Sequence, residues 1–157
     1  MIGIFAREPY NGETLTTMRA NMAGYESAQA AETAFYQAFE RGSLTLMTEV
    51  WADDPDIVCV HPGGERLQGR EAVLESWGEI LAAMQDVVVR ATDVVILGHG
   101  KFILHHVREQ LFVDGQRRGV ILATNAYRLT TEGWQMVLHH GAPDPSPPPA
   151  LESIGLH

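Results

Sequence analysis

Residues 57–77 read IVCVHPGGERLQGREAVLESW and combine a short apolar run, a turn and the start of an amphipathic segment. The run is rich in β-branched residues and ends at His61, where a Pro-Gly-Gly sequence interrupts any helix or central strand. From Gly69-Arg70 onward the apolar residues follow a helical spacing, at Val73, Leu74, Trp77, Ile80, Leu81 and Met84. The stretch therefore predicts a strand that brings a histidine to a turn, followed by a helix.

Two further helices are predicted upstream of this stretch. Ser27 is a suitable N-cap for a helix whose apolar stripe ends at Gly42, a residue type that is common at helix C-termini. Ser43 can cap a second, shorter helix that carries Leu44, Leu46, Met47, Val50 and Trp51. An Asp-Asp-Pro-Asp turn at residues 53–56 separates this helix from the apolar run.

The second half of the chain has the character of a β-sheet. Four segments are rich in β-branched and aromatic residues and predict strands at residues 87–97, 102–113, 119–129 and 134–140. Short turn-forming sequences separate them, namely Gly98-His99-Gly100, Asp114-Gly115 and Glu132-Gly133. Because breaks of this kind favour hairpins, we expect an antiparallel meander. Helices first and strands afterwards indicate the α+β class.

Three motifs in this order resemble the SnoaL-like branch of the NTF2-like superfamily: His61-Pro62-Gly63-Gly64, Gly69-Arg70 at a helix start, and Trp134 leading to Leu138-His139-His140-Gly141. The resemblance implies an NTF2-like cone over residues 27–142, with three N-terminal helices packed on a strongly curved, mostly antiparallel sheet. It also implies an enclosed pocket and a homodimer that forms through the outer sheet face. Residues 1–26 are then an N-terminal arm, and residues 143–157, which are rich in proline, are a C-terminal tail.

Composition limits the classes of partner. Acidic residues outnumber basic ones by 20 to 11 in this chain of 157 residues, and the net charge of −9 argues against nucleic acid and anionic membranes. The lone cysteine, Cys59, excludes an internal disulfide, and its apolar neighbours indicate a small buried side chain. No apolar run is long enough to cross a membrane, and the N-terminal residues lack the form of a secretory signal. We therefore expect a cytoplasmic protein.

Candidate site residues follow from strand alternation, because neighbours in a strand point to opposite faces of the sheet. His105 and Glu109 share a face with apolar residues, whereas His106 lies with Arg108 and Gln110. In the last strand, alternation from Trp134 predicts that His140 points inward and that His139 points outward. The predicted pocket thus receives His61, His105, Glu109 and His140 as candidate catalytic groups, and its ligand-binding walls are Phe35, Trp51, Trp77, Asn125, Tyr127 and Trp134.

Imidazoles close to a half-buried carboxylate are suited to proton transfer, since burial raises the pKa of Glu and a nearby carboxylate raises that of His. This pattern predicts general acid-base catalysis on a small, largely apolar, oxygen-bearing molecule, and the resemblance implies an isomerase, dehydratase or cyclase. The alternative is a non-catalytic domain that binds a hydrophobic ligand or dimerises. In that interpretation His61 holds the Pro-Gly-Gly loop, Glu109 pairs with His105 or with an arginine, and the aromatic residues belong to the core.

Neither a cofactor nor a metal is expected from the sequence. It contains no phosphate-cradling glycine loop and no dinucleotide fingerprint. The candidate histidines and Glu109 also lack the close spacing of a known metal motif.

Overall fold

The computed structural model describes residues 24–149. In this part of the chain the helices are α1 (Ala28–Glu40), α2 (Leu44–Val50) and α3 (Arg70–Ala83). The strands are β1 (Val58–Val60), β2 (Arg66–Gln68), β3 (Val87–His99), β4 (Phe102–Val113), β5 (Gln116–Thr130) and β6 (Gly133–Pro143). The helices pack on one open sheet, so the predicted α+β architecture is confirmed. None of the described helices is long and apolar enough to cross a membrane.

The first two helices begin at the serines predicted to cap them. The Ser27 hydroxyl accepts a hydrogen bond of 3.0 Å from the Ala30 amide, and the Ser43 hydroxyl accepts one of 3.2 Å from the Leu46 amide. Between them Gly42 has a φ of 60°, a left-handed conformation that ends α1 and lets the chain reverse into α2. The buried side chains of α1 face the sheet and form the apolar core together with α2 and α3.

The six strands lie in the order β2-β1-β6-β5-β4-β3. Strands β3 to β6 form the predicted antiparallel meander, and β1 runs parallel to β6. Strand β2 was not predicted, because three residues, one of them apolar, are too short a run for the sequence to reveal a strand. Cys59 in β1 is fully buried, as predicted, and burial raises the pKa of its thiol to about 12.

Strand β6 runs three residues beyond its predicted end at residue 140, so it includes the first residue of the predicted tail. Ala142 and Pro143 complete β6 opposite Leu122 and Ile121. Proline is tolerated there because it is the last residue of the strand. The tail then follows the sheet, where the Asp144 amide donates to the Val120 carbonyl at 2.9 Å and Arg117 donates to the Pro148 carbonyl at 2.7 Å.

At the other end of the domain, residues 24–25 extend the sheet, because Tyr25 exchanges backbone hydrogen bonds of 2.8 and 3.0 Å with Trp134. The remainder of the predicted arm, residues 1–23, and the end of the predicted tail, residues 150–157, lie outside the described residues.

The Gly69-Arg70 pair joins α3 to α2. Gly69 has a φ of 86°, which an L side chain rarely adopts, and its amide donates to the Ile57 carbonyl at 2.9 Å. The Arg70 guanidinium donates to the carbonyls of Trp51 at 2.7 Å and Thr48 at 2.9 Å, which the end of α2 leaves without helical partners. The pair therefore caps the C-terminal end of α2 and forms the start of α3.

Arg70→Lys is expected to lower the free energy of unfolding by about 1–2 kcal/mol, because an ammonium cannot reproduce the fork of two charge-assisted hydrogen bonds. Urea denaturation measures the change. The matched control is Arg66→Lys, since Arg66 is exposed. Equal stability of the two variants would show that Arg70 does not hold the end of α2.

Candidate functional site

A cavity of about 320 Å³ lies between the helices and the concave face of the sheet. Its volume is within the range of small-molecule sites. Most of its wall is apolar, formed by Phe35, Phe39, Pro62, Trp77, Ile80, Met84, Val89, Leu111 and Ile121. The other lining residues are Tyr36, His61, Glu109 and His139. The cavity thus places a few polar groups in an apolar enclosure.

Three hydrogen bonds connect Glu109 to His139 across the sheet. The Tyr36 hydroxyl lies 2.8 Å from Glu109 Oε1, and Asn125 Nδ2 lies 3.0 Å from the same hydroxyl. Asn125 Oδ1 in turn lies 2.6 Å from His139 Nδ1. The residues of this hydrogen-bonded chain belong to α1, β4, β5 and β6, so the hydrogen bonds form only when α1 packs on the sheet.

The direction of each hydrogen bond follows from the ionised form of Glu109. A carboxylate only accepts, so the Tyr36 hydroxyl donates to it, and the Tyr36 oxygen then accepts from the Asn125 amide group. The Asn125 carbonyl oxygen is left to accept from His139. His139 therefore carries its proton on Nδ1 and has an unprotonated Nε2.

Burial shifts the pKa values of Glu109 and His139, the two ends of the hydrogen-bonded chain. It raises the pKa of Glu109 to about 7, with the negative charge of Glu32 adding to the rise and the Tyr36 hydrogen bond opposing it. Burial, with a contribution from the neighbouring His61 and His140, lowers the pKa of His139 to about 3. At neutral pH the site thus contains a carboxyl group close to its own pKa and a neutral imidazole.

His61 lies at the mouth of the turn, half-buried against Trp77 with ring centroids 4.8 Å apart. Its Nε2 is 2.9 Å from the Ser76 hydroxyl, whose proton is donated to the Val73 carbonyl at 2.8 Å. His61 therefore donates to Ser76 and links the end of β1 to α3. Burial lowers the pKa of its imidazole. The residue both lines the cavity and holds the loop, so the two interpretations of His61 are compatible.

The prediction that His140 faces inward is wrong, because His139 occupies that position. His139 is only 3% exposed, whereas His140 is exposed. The register explains the exchange: Tyr127 pairs with Met136 and Ala126 pairs with Leu138, so Val137 is an extra residue in β6. Such a β-bulge shifts the alternation by one residue and reverses the face of every later side chain.

Neither alternative for Glu109, a pair with His105 or one with an arginine, is found among the described residues. His105 and Glu109 do share the buried face of β4, but positions four apart in a strand are separated by roughly 13 Å. His105 Nδ1 lies instead 2.8 Å from Glu32 Oε2, an oxygen that also accepts from the Tyr127 hydroxyl at 3.0 Å. This buried cluster belongs to the core beside the cavity, because His105, Glu32 and Tyr127 are not among the lining residues.

Of the residues predicted to form the ligand-binding walls, some line the cavity and others belong to the core. Phe35 and Trp77 line the cavity. Trp51, Asn125 and Tyr127 are fully buried, and Trp134 is partly buried against the core. Asn125 and Tyr127 do face inward as predicted, but they act on the site through other side chains.

Sequence reasoning missed Glu32 and Tyr36. Both lie on α1, one helical turn apart, and both project from its sheet-facing side beside the buried Ala31 and Phe35. A polar side chain within the apolar stripe of a helix was the available signal. Among the described residues, no group of three or more His, Cys, Asp or Glu side chains could hold a metal ion.

Comparison with known proteins agrees with the architecture. Residues 28–144 match the family model of the SnoaL-like domain. The chain belongs to this family. Solved structures similar to this SnoaL-like domain include a protein from Streptomyces avermitilis, provisionally assigned as a dehydratase of the NTF2-like family. That protein is 33% identical, with a TM-score of 0.67 over 74% of this chain and 92% of its own.

A second similar structure, from Thiobacillus denitrificans, is provisionally assigned as a calcium/calmodulin-dependent protein kinase type II association domain. It is 38% identical, with a TM-score of 0.70 over 77% of this chain and 98% of its own. A curated relative, the F-box protein SKIP8 of Arabidopsis thaliana, is 28% identical over 138 residues, which are 85% of this chain. The matched SnoaL-like domain spans about half of that relative, 54% of its length.

Proposed function

We propose that this SnoaL-like domain is an enzyme that dehydrates or isomerises a small, largely apolar, oxygen-bearing molecule by general acid-base catalysis. The observation that carries the proposal is the hydrogen-bonded chain from Glu109 through Tyr36 and Asn125 to His139, with both ends at an apolar cavity. The similar structure provisionally assigned as a dehydratase supports the reaction class.

Glu109 is the proton carrier in this mechanism. With a pKa of about 7 it is ionised in a large fraction of molecules at neutral pH, yet it can hold a proton once it has taken one. The carboxylate removes a proton from a carbon next to a carbonyl group, which breaks a C–H bond and forms an O–H bond. In dehydration the same proton then goes to the departing hydroxyl, a C–O bond breaks, and water and an alkene remain.

His139 has a different role. Because its pKa is about 3, its neutral imidazole is a weak base but a good hydrogen-bond acceptor. We assign it to orienting a substrate hydroxyl, with Tyr36 and Asn125 as positioning residues for both ends of the chain.

Neutral β-hydroxy ketones that carry one aromatic ring are suitable probes, incubated with the protein in D₂O and followed by NMR. The proposal expects loss of water, or solvent deuterium at the carbon next to the carbonyl, at rates above those with a Glu109→Gln sample. Probes that bind in the cavity without either change would contradict the proposal and favour a binding domain.

A second candidate function is a non-catalytic association domain. It is favoured by the similarity to the structure provisionally assigned as a kinase association domain, the more identical of the two solved structures described above. This candidate expects an oligomer and no deuterium incorporation.

For either function we propose a homodimer that forms through the outer sheet face. The outer face at the β3–β4 hairpin carries three large apolar residues, Val95, Leu97 and Phe102, which are 48–56% exposed. Their register partners Leu104 and His106 lie on the same face. Exposed apolar clusters of this kind are typical of contact surfaces.

Leu97→Lys is expected to raise the dimer dissociation constant by roughly tenfold or more, since a charge would have to be buried in the contact. Sedimentation velocity measures the change. Ile96→Lys is the matched control, because Ile96 is equally exposed at 56% but points to the opposite face. Dissociation by the control alone would place the contact elsewhere.

A further inference from the structure

We infer that the cavity selects a ligand that donates hydrogen bonds, an apolar molecule bearing a hydroxyl or amine group, in preference to a ligand that only accepts them. The inference rests on the proposed function only in taking this cavity as the substrate site. It follows from which lining residues already donate their protons to other protein groups and can therefore only accept a hydrogen bond from a ligand.

The hydrogen bond from its Nδ1 to Asn125 leaves His139 as an acceptor toward the cavity. Its Nδ1 lies 2.6 Å from Asn125 Oδ1, and the Asn125 amide cannot turn over without losing the 3.0 Å hydrogen bond from its Nδ2 to Tyr36. Tyr36 in turn gives its only proton to Glu109. The Nε2 of His139 has no hydrogen-bond partner among the described residues, while the ring lines the cavity. A lone pair therefore faces the ligand space in a side chain that is almost wholly buried.

His61 is held in the opposite tautomer, with its proton on Nε2, so its Nδ1 is likewise an acceptor. Since the Ser76 proton is donated to the Val73 carbonyl, the Ser76 oxygen can only accept, and His61 Nε2 must donate to it. The proton is thus on Nε2, and Nδ1 keeps its lone pair. The Cys59 sulfur lies 3.7 Å from Nε2 and 4.0 Å from Nδ1, so its thiol is a weak donor near that lone pair, and a ligand hydroxyl or amine is the stronger one. The His61 and His139 rings are 6.5 Å apart between centroids, so one ligand can meet both.

The remaining polar groups of the lining also offer no free donor to a ligand. In its ionised form, above its pKa of about 7, the Glu109 carboxylate accepts, and the Tyr36 proton is already donated to it. The Trp77 indole nitrogen has almost no accessible surface and interacts with the Cys59 thiol, so its N–H is out of a ligand's reach. Neither lysine nor arginine is present in the lining, which leaves carboxylates and phosphates without a counter-charge. A ligand that brings its own donors satisfies lone pairs that an acceptor-only ligand would leave buried and unpaired.

The test compares 1-phenylethanol with acetophenone, which share one carbon skeleton but differ in that the alcohol can donate. We expect the alcohol to bind roughly tenfold more tightly in NMR titrations of the full chain. The methyl ether of 1-phenylethanol keeps the oxygen but cannot donate, and it should bind no more tightly than acetophenone; tighter binding of the ether would overturn the inference. Equal or tighter binding of acetophenone, or binding of benzoate in preference to both, would overturn it.

A measurement on the unaltered protein checks the premise. The ¹⁵N shifts of the imidazoles at pH 8, where Glu109 is mostly ionised, should show a neutral His139 protonated on Nδ1 and a neutral His61 protonated on Nε2. A protonated or reversed form of His139 would overturn the inference. Binding selectivity is independent of turnover: selective binding without chemistry would remove the proposed enzyme but keep the donor preference, whereas turnover without selectivity would do the reverse.

Discussion

Glu109→Gln is expected to lower turnover of a reactive substrate by a factor of about 10² to 10⁴, the usual contribution of a positioned acid or base. Glutamine has almost the same shape and its carbonyl can still accept from the Tyr36 hydroxyl, so the hydrogen-bonded chain and the fold should remain. What the variant loses is the ability to hold and release a proton. Steady-state kinetics measure the effect, with the exposed Glu75→Gln as the control. Unchanged turnover with an intact fold would remove Glu109 from the mechanism.

The same variant should change how stability depends on pH. Folding raises the pKa of Glu109 from 4.5 to about 7, so the folded state binds this proton more tightly than the unfolded state. The stabilisation is complete below pH 4.5 and is lost as the pH rises through 7, which for a shift of this size amounts to about 3 kcal/mol. Glu109→Gln should therefore unfold at higher urea concentration than the natural chain at pH 8, and at a similar concentration at pH 4.

His139 has the opposite effect on that profile. Its pKa falls from 6.5 to about 3 on folding, so its contribution to stability is present above pH 6.5 and is lost as the pH falls toward 3. The two slopes oppose each other between pH 4.5 and 6.5 in the natural chain. In Glu109→Gln the slope from His139, joined by one of the same sign from His61, should appear without this opposition, as stability that rises with pH over this range. A flat profile in the variant would contradict the burial of a neutral imidazole.

Glu32→Ala is expected to lower the free energy of unfolding by about 2–5 kcal/mol, because it leaves two buried donors without an acceptor, at roughly 1–3 kcal/mol each. Glu32 is 7% exposed, and its Oε2 accepts from both His105 and Tyr127. Without it these two buried donors lose the acceptor that they share. Urea denaturation at neutral pH measures the loss.

Two further variants make the Glu32 result specific. Glu32→Gln keeps an acceptor oxygen and should lose less stability than Glu32→Ala. Glu40→Ala removes an exposed carboxylate from the last turn of the same helix and should change stability by no more than about 0.5 kcal/mol. If Glu32→Ala and Glu40→Ala were equally stable, the cluster would contribute nothing to the fold.

The prediction of the elements succeeded where the signal is local. Ser27 and Ser43 cap their helices through their own neighbours, and the turn glycines separate strands that are adjacent in the sequence. Strand β2 has no comparable signal, because its pairing with β1 supplies the structure that its three residues do not specify. The candidate site was predicted less well, since its contacts join helix α1 to three different strands.

By itself the sequence determined the architecture, the concave sheet face that carries Asn125 and Glu109, and the delivery of His61 to a turn beside Trp77. Only the tertiary structure decided which histidine of the last strand enters the cavity and which carboxylate His105 meets. Alternation is a property of one strand, whereas the bulge at Val137 arises from fitting β6 to the twist and register of β5. Likewise, the Glu32–His105 contact requires a helix to cross the sheet at one particular height, which no spacing along the chain encodes.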